Sequence, residues 1–192
     1  MVGILRGGLL RVQDFFSLRA HRAELPSLRA ALALEPTFRL LDMGGGTGAF
    51  TAVFAARCEE IVVLEPDRRK VAYGERRRPH VQFVAGQAEE IPFPDDHFDR
   101  ATALVSLHHV HDQDRGLQEV HRVLKPGGRF VVEEFDPREG RGRRAHIFES
   151  TFGGSHSTFL TPEDLHARLE KHGFRGIAHE AVGPGYLLTA EA

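Results

Sequence analysis

The chain has a single cysteine, no marked excess of either charge and no long apolar run. Cys58 alone cannot build an internal disulfide framework, which fits a reducing compartment, and its plain reading is a small buried hydrophobe. A formal charge of -2 over 192 residues argues against a dedicated nucleic-acid binder, which carries a strong basic excess. No apolar stretch approaches the roughly 18 residues that a membrane helix needs, so no membrane insertion is expected. The opening "MVGILRGGLLRVQDFF" is interrupted by Arg6, Gly7, Gly8 and Arg11, and its apolar run is too short for a secretory signal. A cytoplasmic protein is the expectation. Internal repeats and low-complexity tracts are also missing. At 41% hydrophobic content the length suffices for one domain with a sizeable core, and not for two large ones.

Within that one domain the pattern changes along the chain. Residues 1–36 are expected to form a helical cap, since Leu, Ala and Arg recur at mixed three- and four-residue spacings up to Pro36. Residues 37–136 alternate short β-like runs with helical ones. The strands are "FRLLDMG" (Phe38–Gly44), "IVVLEPD" (Ile61–Asp67), "HVQFVAG" (His80–Gly86), "FDRATALVS" (Phe98–Ser106) and "GGRFVVEEF" (Gly127–Phe135). Between them lie an apolar helix at Ala49–Arg57, a charged helix through Arg77 and a helix to about Leu124. Such alternation implies a Rossmann-like, doubly wound α/β fold with a mostly parallel sheet and right-handed crossovers. Residues 137–160 are Gly- and Arg-rich and lid-like. Residues 161–192 supply a helix, with Thr161 as N-cap and Pro162 first inside it, then two β-runs joined by "GPG" as an antiparallel hairpin. The sheet then has about seven strands.

The densest signal is "LLDMGGGTGAF", Leu40 to Phe50, with Gly44, Gly45, Gly46 and Gly48 at the end of the first strand. Open parallel sheets bind ligands beyond the carboxyl ends of their strands, where the topology changes direction. Glycine has no Cβ and tolerates positive φ, so a bound molecule can touch the main chain there. Glu65, 17 residues beyond Gly48, closes the second strand and is placed to accept hydrogen bonds from a ribose diol. These features describe a nucleoside-containing cofactor. The glycines alone do not separate NAD from S-adenosylmethionine, because Gly44-x-Gly46-x-x-Ala49 also fits the dinucleotide fingerprint. Three observations favour the latter. Asp42 is an anion two residues before the loop, which opposes a pyrophosphate and suits an ammonium and a sulfonium. At this length no second domain for a hydride acceptor is expected. The chain also has no Tyr-x-x-x-Lys pair.

With these residues in place the sequence resembles the class I S-adenosylmethionine-dependent methyltransferases, and within them the small-molecule group that holds the ubiquinone/menaquinone C-methyltransferases. "LLDMGGGTG", "VVLEPD", "VAGQAEEIPFPDDHFD", "LHHV" and "EVHRVLKPGGRFVV" carry the likeness between Phe38 and Phe135. The resemblance implies methyl transfer from S-adenosyl-L-methionine to a small-molecule acceptor, leaving S-adenosyl-L-homocysteine. It puts Asp42, Gly44 and Gly46 around the methionine part, Glu65 on the ribose, and Pro66 or Asp67 beside the adenine. Gln87 and Ala88 would address the adenine edge, and Ser106 and Leu107 would face the methyl group. Gln87 stands where the family usually has Asp, so a charge-assisted bond becomes a neutral one of roughly half the strength, for which Glu89 could compensate. A cofactor-binding regulator without catalysis and an NAD oxidoreductase are the alternatives. The motifs do not encode the acceptor atom or the oligomeric state.

Methyl transfer from a sulfonium depends heavily on positioning, and a base helps when the acceptor carries a proton. His108, His109 and His111, after the fourth strand, and His156 in the lid-like segment are the candidates, with His108 nearest the expected methyl position. His-His-x-His places neighbours on different sides of a helix, and no nearby cysteine completes a site, so no metal is expected. No Asn/Asp-Pro-Pro-Tyr follows the fourth strand, so the resemblance gives no support to amino methylation of adenine or glutamine. Cys58 lies far from the active end. The basic run Arg138, Arg141, Arg143 and Arg144 is either solvated surface or a contact for an anionic substrate or nucleic acid. Phe148, Phe152 and Phe159 either line an apolar acceptor pocket or pack the lid. His108→Ala is expected to slow transfer without weakening cofactor binding; an unchanged rate removes His108 from the mechanism.

Overall fold

The runs after Phe38, Glu60 and Arg100 are apolar on both faces, as a sheet covered on both sides requires. The computed structural model describes residues 23–140, 157–183 and 185–192, together with Leu10, Asp14 and Leu18. In it the runs form β1 (Arg39–Met43), β2 (Glu60–Glu65), β3 (Gln82–Ala85), β4 (Phe98–Leu104) and β5 (Leu124–Phe135), followed by β6 (Arg175–Val182) and β7 (Gly185–Glu191). Among the described residues they make a seven-stranded sheet in the order β3-β2-β1-β4-β5-β7-β6. β1 is parallel to β2 and β4, β2 to β3, and β4 to β5. β7 lies antiparallel between β5 and β6. The doubly wound sheet and its closing hairpin agree with the sequence reading. The direction of winding reverses between β1 and β4, so their carboxyl ends open a crevice.

Period-two alternation splits the strands between two core layers. Leu41, Leu64, Ala101 and Phe130 face one layer, covered by Leu117 and Val120 of α3 (Gln113–Val123) and by Leu165 and Leu169 of α4 (Pro162–Lys171). Leu40, Val63 and Val131 face the other, covered by Leu28 and Leu32 of α1 (Leu25–Leu32) and Val71 of α2 (Arg68–Arg77). Three of these helices begin at a side-chain cap, as free terminal N–H groups demand. Asp67, Asp112 and Thr161 accept from the backbone N–H groups of Arg69, Arg115 and Asp164. At the far end of α1, the carbonyls of Ala31 and Leu32 accept from Arg129 Nη1 at 2.9 Å and Arg100 Nε at 2.7 Å.

One expected element changes character. The apolar run Ala49–Arg57 reads as a helix, but only Thr51–Phe54 is helical, as a 3-10 segment. Thr51 and Val53 are β-branched and poor helix formers. The Thr51 hydroxyl donates to the Asp42 carboxylate, and Phe50 and Phe54 are both buried, with rings edge to face at 5.6 Å. Side-chain anchoring in two directions thus replaces regular winding. β5 also begins earlier than expected, at Leu124, so that α3 passes straight into it. Residues 141–156 lie outside the described set, and with them Arg141, Arg143, Arg144, Phe148, Phe152 and His156. Among the described residues no helix is long and apolar enough to cross a membrane.

Gly74 sits in the middle of α2, where alanine ordinarily stabilises by about 0.5–1 kcal/mol. A Cβ there would press into the Phe83 ring and lie 2.8 Å from the Thr47 carbonyl oxygen. Gly74→Ala is therefore expected to lose roughly 1–3 kcal/mol, read as a lower urea midpoint; an equal or higher midpoint contradicts this packing.

Candidate active site

β1 ends at Met43, and the chain turns back on itself through Gly44, Gly46 and Gly48, with φ of +75°, +62° and +70°. Side chains rarely adopt that region. The turn is also too crowded for them: a Cβ on Gly44 would lie 2.7 Å from Ser106 Cβ, and one on Gly45 would overlap the Asp42 carboxylate. Ser106 Oγ donates to the Met43 carbonyl at 2.7 Å, fastening the exit of β4 to the exit of β1. The Gly44 N–H donates to the Leu64 carbonyl at 2.8 Å. The exits of three adjacent strands are thereby joined.

Around this junction lies a cavity of about 770 Å³, within the range of sites for cofactor-sized ligands. Asp42 forms part of its wall and is 3% exposed. Its carboxylate accepts from the hydroxyls of Thr51 and of Thr102, the latter at 3.0 Å, so the buried charge is hydrogen-bonded. Glu65, also 3% exposed, is held by the Gly46 N–H at 3.1 Å and the Asp67 N–H at 3.0 Å, with Lys70 Nζ at 3.4 Å. The carboxylate is pre-oriented at the cavity wall by two backbone donors. Pro66, Gln87, Ala88 and Ser106 line the same cavity. Gln87 is exposed and Ala88 buried.

Several expectations fall elsewhere. Leu107 is 1% exposed and packs in the core with Leu117 and Leu160; it is not part of the cavity wall. His108 is not part of it either. It is 2% exposed, its Nδ1 lies 2.9 Å from both carboxylate oxygens of Glu134, and its ring stacks on Phe159 at 4.1 Å. His109 and His111 do line the cavity. The 3-10 turn Leu107–His109 advances about 120° per residue: the two rings stay 4.0 Å apart between centroids, but that of His108 is held against Glu134 and Phe159, and that of His109 borders the cavity. Asp67 faces Arg69, whose guanidinium and N–H lower its pKa to about 2. Glu89 commits Oε1 to the N–H groups of His111 and Asp112, at 3.0 and 3.1 Å. Arg138, expected at the mouth, is paired with Asp136 at 2.7 Å and Glu163 at 3.1 Å, and that guanidinium lowers the Asp136 pKa.

Other wall residues have no sequence signal of their own. Phe50 and Lys70 are ordinary members of their segments. Val105 is the least visible: a β-branched residue at φ +51°, a conformation costing about 1–3 kcal/mol. Its N–H donates to the Glu133 carbonyl at 2.7 Å, which holds it there against the cavity.

Residues 41–132 match the methyltransferase-domain family. A demethylmenaquinone methyltransferase of Beutenbergia cavernae is 38% identical over 78% of this chain and 60% of its own length. A ubiquinone/menaquinone biosynthesis C-methyltransferase of Methylobacterium nodulans is 40% identical over 91% of this chain and 81% of its own. A solved S-adenosylmethionine-dependent methyltransferase of Thermotoga maritima superposes with a TM-score of 0.76 at 25% identity, covering 100% of this chain and 99% of that one. The chain belongs to the class I S-adenosylmethionine-dependent methyltransferases, in the family of the ubiquinone/menaquinone C-methyltransferases. It spans less than two thirds of the length of the Beutenbergia protein.

Gly44→Ala combines a strained φ with a collision at Ser106. Strain of about 1–3 kcal/mol at this turn corresponds to binding of S-adenosylhomocysteine weakened roughly 10- to 100-fold, measured by calorimetry. Wild-type affinity in that variant contradicts the close approach.

Proposed function

We propose that the chain transfers a methyl group from S-adenosyl-L-methionine to a small-molecule acceptor, an electron-rich ring of the quinol class being the best-supported one. The observation that carries the reading is the pairing of the glycine-rich turn at Gly44–Gly48 with the buried, backbone-held Glu65 beside it. In this reading Glu65 accepts from the ribose hydroxyls, and Ala88, with Gln87, borders the adenine. Asp42, Gly44 and Gly46 receive the methionine portion. Ser106 borders the methyl end, as the β4 exit is bolted to the turn. The quinol class is suggested by the named activities of the Beutenbergia and Methylobacterium relatives.

Charge supports this cofactor over a dinucleotide. Asp42, Glu65 and Glu89 stand in the cavity wall and, among the described residues, Lys70 is the wall's Lys or Arg cation, itself beside Glu65. Such a wall opposes a pyrophosphate and suits a sulfonium with an ammonium.

The cofactor supplies an electrophilic methyl on sulfur. The residues of this chain have to orient the acceptor in line with it and exclude water. A quinol hydroxyl becomes a stronger electron donor to its ring as it loses its proton, and a histidine is suited to accept that proton. His109 is the histidine of the 3-10 turn that lines the cavity, and its Nδ1 lies 3.3 Å from Ser157 Oγ. His108, which stands first by sequence, is proposed to act behind it.

Titration with S-adenosylhomocysteine should give a saturable heat. Glu65→Ala should weaken it roughly 10- to 100-fold, the worth of charge-assisted hydrogen bonds of about 1.5–3 kcal/mol. Reduced demethylmenaquinone with a short prenyl chain should gain one methyl group by mass. Binding without methylation of this or related quinols overturns the acceptor class; absence of binding overturns the whole reading.

A further inference from the structure

We propose that Glu134 is a positioning residue for the transfer step, acting through His108 to set the cavity-facing His109; this rests on the methyl-transfer reading above. Glu134 is on β5, opposite Tyr186, and at 3% exposure it is nearly sealed from water. A carboxylate is costly to bury unless several donors serve it. Here one residue supplies two of them. Oε1 accepts the His108 backbone N–H at 3.2 Å, and both oxygens lie 2.9 Å from His108 Nδ1. A carboxylate oxygen accepts and a ring N–H donates, so this contact orients Nδ1 towards Glu134 and fixes the rotation of the ring.

The turn that bears His109 is fixed largely at this point. The His108 ring is packed between Phe159, at 4.1 Å, and the His109 ring, at 4.0 Å between centroids. The His108 carbonyl accepts the Thr158 N–H at 2.9 Å. Gln113 Nε2 donates to the carbonyls of Leu107 and Thr158, at 3.1 and 2.8 Å. Tyr186, on the same face as Glu134, donates its hydroxyl to the Leu160 carbonyl at 3.0 Å. Burial raises the pKa of that phenol, with the Glu134 and Asp136 charges adding to the effect, so it remains a donor at neutral pH. The segment 157–160 and the histidine turn are therefore docked on one another, and Glu134 ties both to the rigid sheet. The next residue, His109, carries this order to the cavity wall.

The test compares full-length Glu134→Gln, His108→Ala and His108→Asn with wild type. S-adenosylhomocysteine is the binding probe, short-chain reduced demethylmenaquinone the turnover probe, and histidine ring 15N signals report on His109. In the His108→Asn variant the side-chain amide nitrogen falls near the place of the imidazole Nδ1, so it can still donate to Glu134. Misplacement of a reacting group by about 1 Å costs up to about 100-fold. Glu134→Gln and His108→Ala should therefore lower kcat roughly 10- to 100-fold and move the His109 signals, with S-adenosylhomocysteine affinity unchanged. His108→Asn should recover most of the rate lost in His108→Ala and return the His109 signals towards wild type. The proposal is overturned if His108→Asn is as slow as His108→Ala, because the imidazole itself then enters the chemistry. It is overturned equally if Glu134→Gln has wild-type kcat and unmoved His109 signals, or if it loses affinity and melting temperature in proportion to rate. A wild-type protein that binds no S-adenosylhomocysteine defeats the methyl-transfer reading instead. If it binds but does not methylate this quinol, the His109 signals decide the positioning claim alone.

Discussion

The site depends on a close approach: the main chain leaving β1 passes against Ser106, with no room for a side chain at Gly44. In a doubly wound sheet the strands on either side of the switch point send their connections in opposite directions, so the crevice between β1 and β4 tends to gape. The Ser106 hydroxyl bond to the Met43 carbonyl closes its floor. The carboxylate of Glu65 closes its side, by holding the N–H of Gly46 from the neighbouring strand's end. Two bonds between three strand exits thus give a soft, glycine-rich turn a defined shape. The flexibility of glycine is used for clearance, and neighbouring side chains remove the flexibility again.

The buried polar groups follow the same logic. Asp42, Glu65, Ser106, His108, Glu133, Glu134 and Asp136 are all sequestered, and all lie at or just beyond the carboxyl ends of strands. Elsewhere the strands bury Leu, Val, Ile and Phe almost without interruption. Four of these carboxylates have donors in place: two hydroxyls for Asp42, two backbone N–H groups for Glu65, two donors of His108 for Glu134 and a guanidinium for Asp136. Such groups gain little net stability over an apolar core. Their concentration at one edge is the cost of a site that is formed before a ligand arrives, and the apolar remainder of the sheet offsets it.

What the sequence revealed follows from which features are local. Strand alternation, the cap at Thr161, the glycine turn and the acid at Glu65 are each written in a few adjacent residues, and each appears where expected. The run Ala49–Arg57 misled because its apolar content fits a helix equally well, whereas its 3-10 form depends on Asp42, which lies outside the run and across the glycine turn from it. Leu107 and His108 misled for a different reason. In a turn of three residues per revolution, a one-residue error rotates a side chain by about 120°, so proximity in sequence to the methyl position says little about facing it. Glu134 had no signal at all. A Val-Val-Glu-Glu-Phe strand end looks like a strand leaving the core, and only β5's register against β7, with the turn above it, turns that glutamate inward. Val105 is equally silent, since no residue pattern announces a β-branched left-handed conformation.

The wall's charge also bears on turnover. On the methyl-transfer reading, a sulfonium enters a cavity bordered by Asp42 and Glu65 and leaves as a neutral thioether. Two unit charges about 4 Å apart attract by about 4 kcal/mol at an effective dielectric of about 20, and that attraction is absent once the methyl has gone. The same carboxylates that favour the charged cofactor therefore hold its product less tightly. Their hydrogen bonds to Thr51, Thr102 and the backbone of Gly46 and Asp67 remain as they were, because none of these donors belongs to the ligand. The wall needs no rearrangement to discriminate between the two states: the reaction itself removes the charge that it recognises.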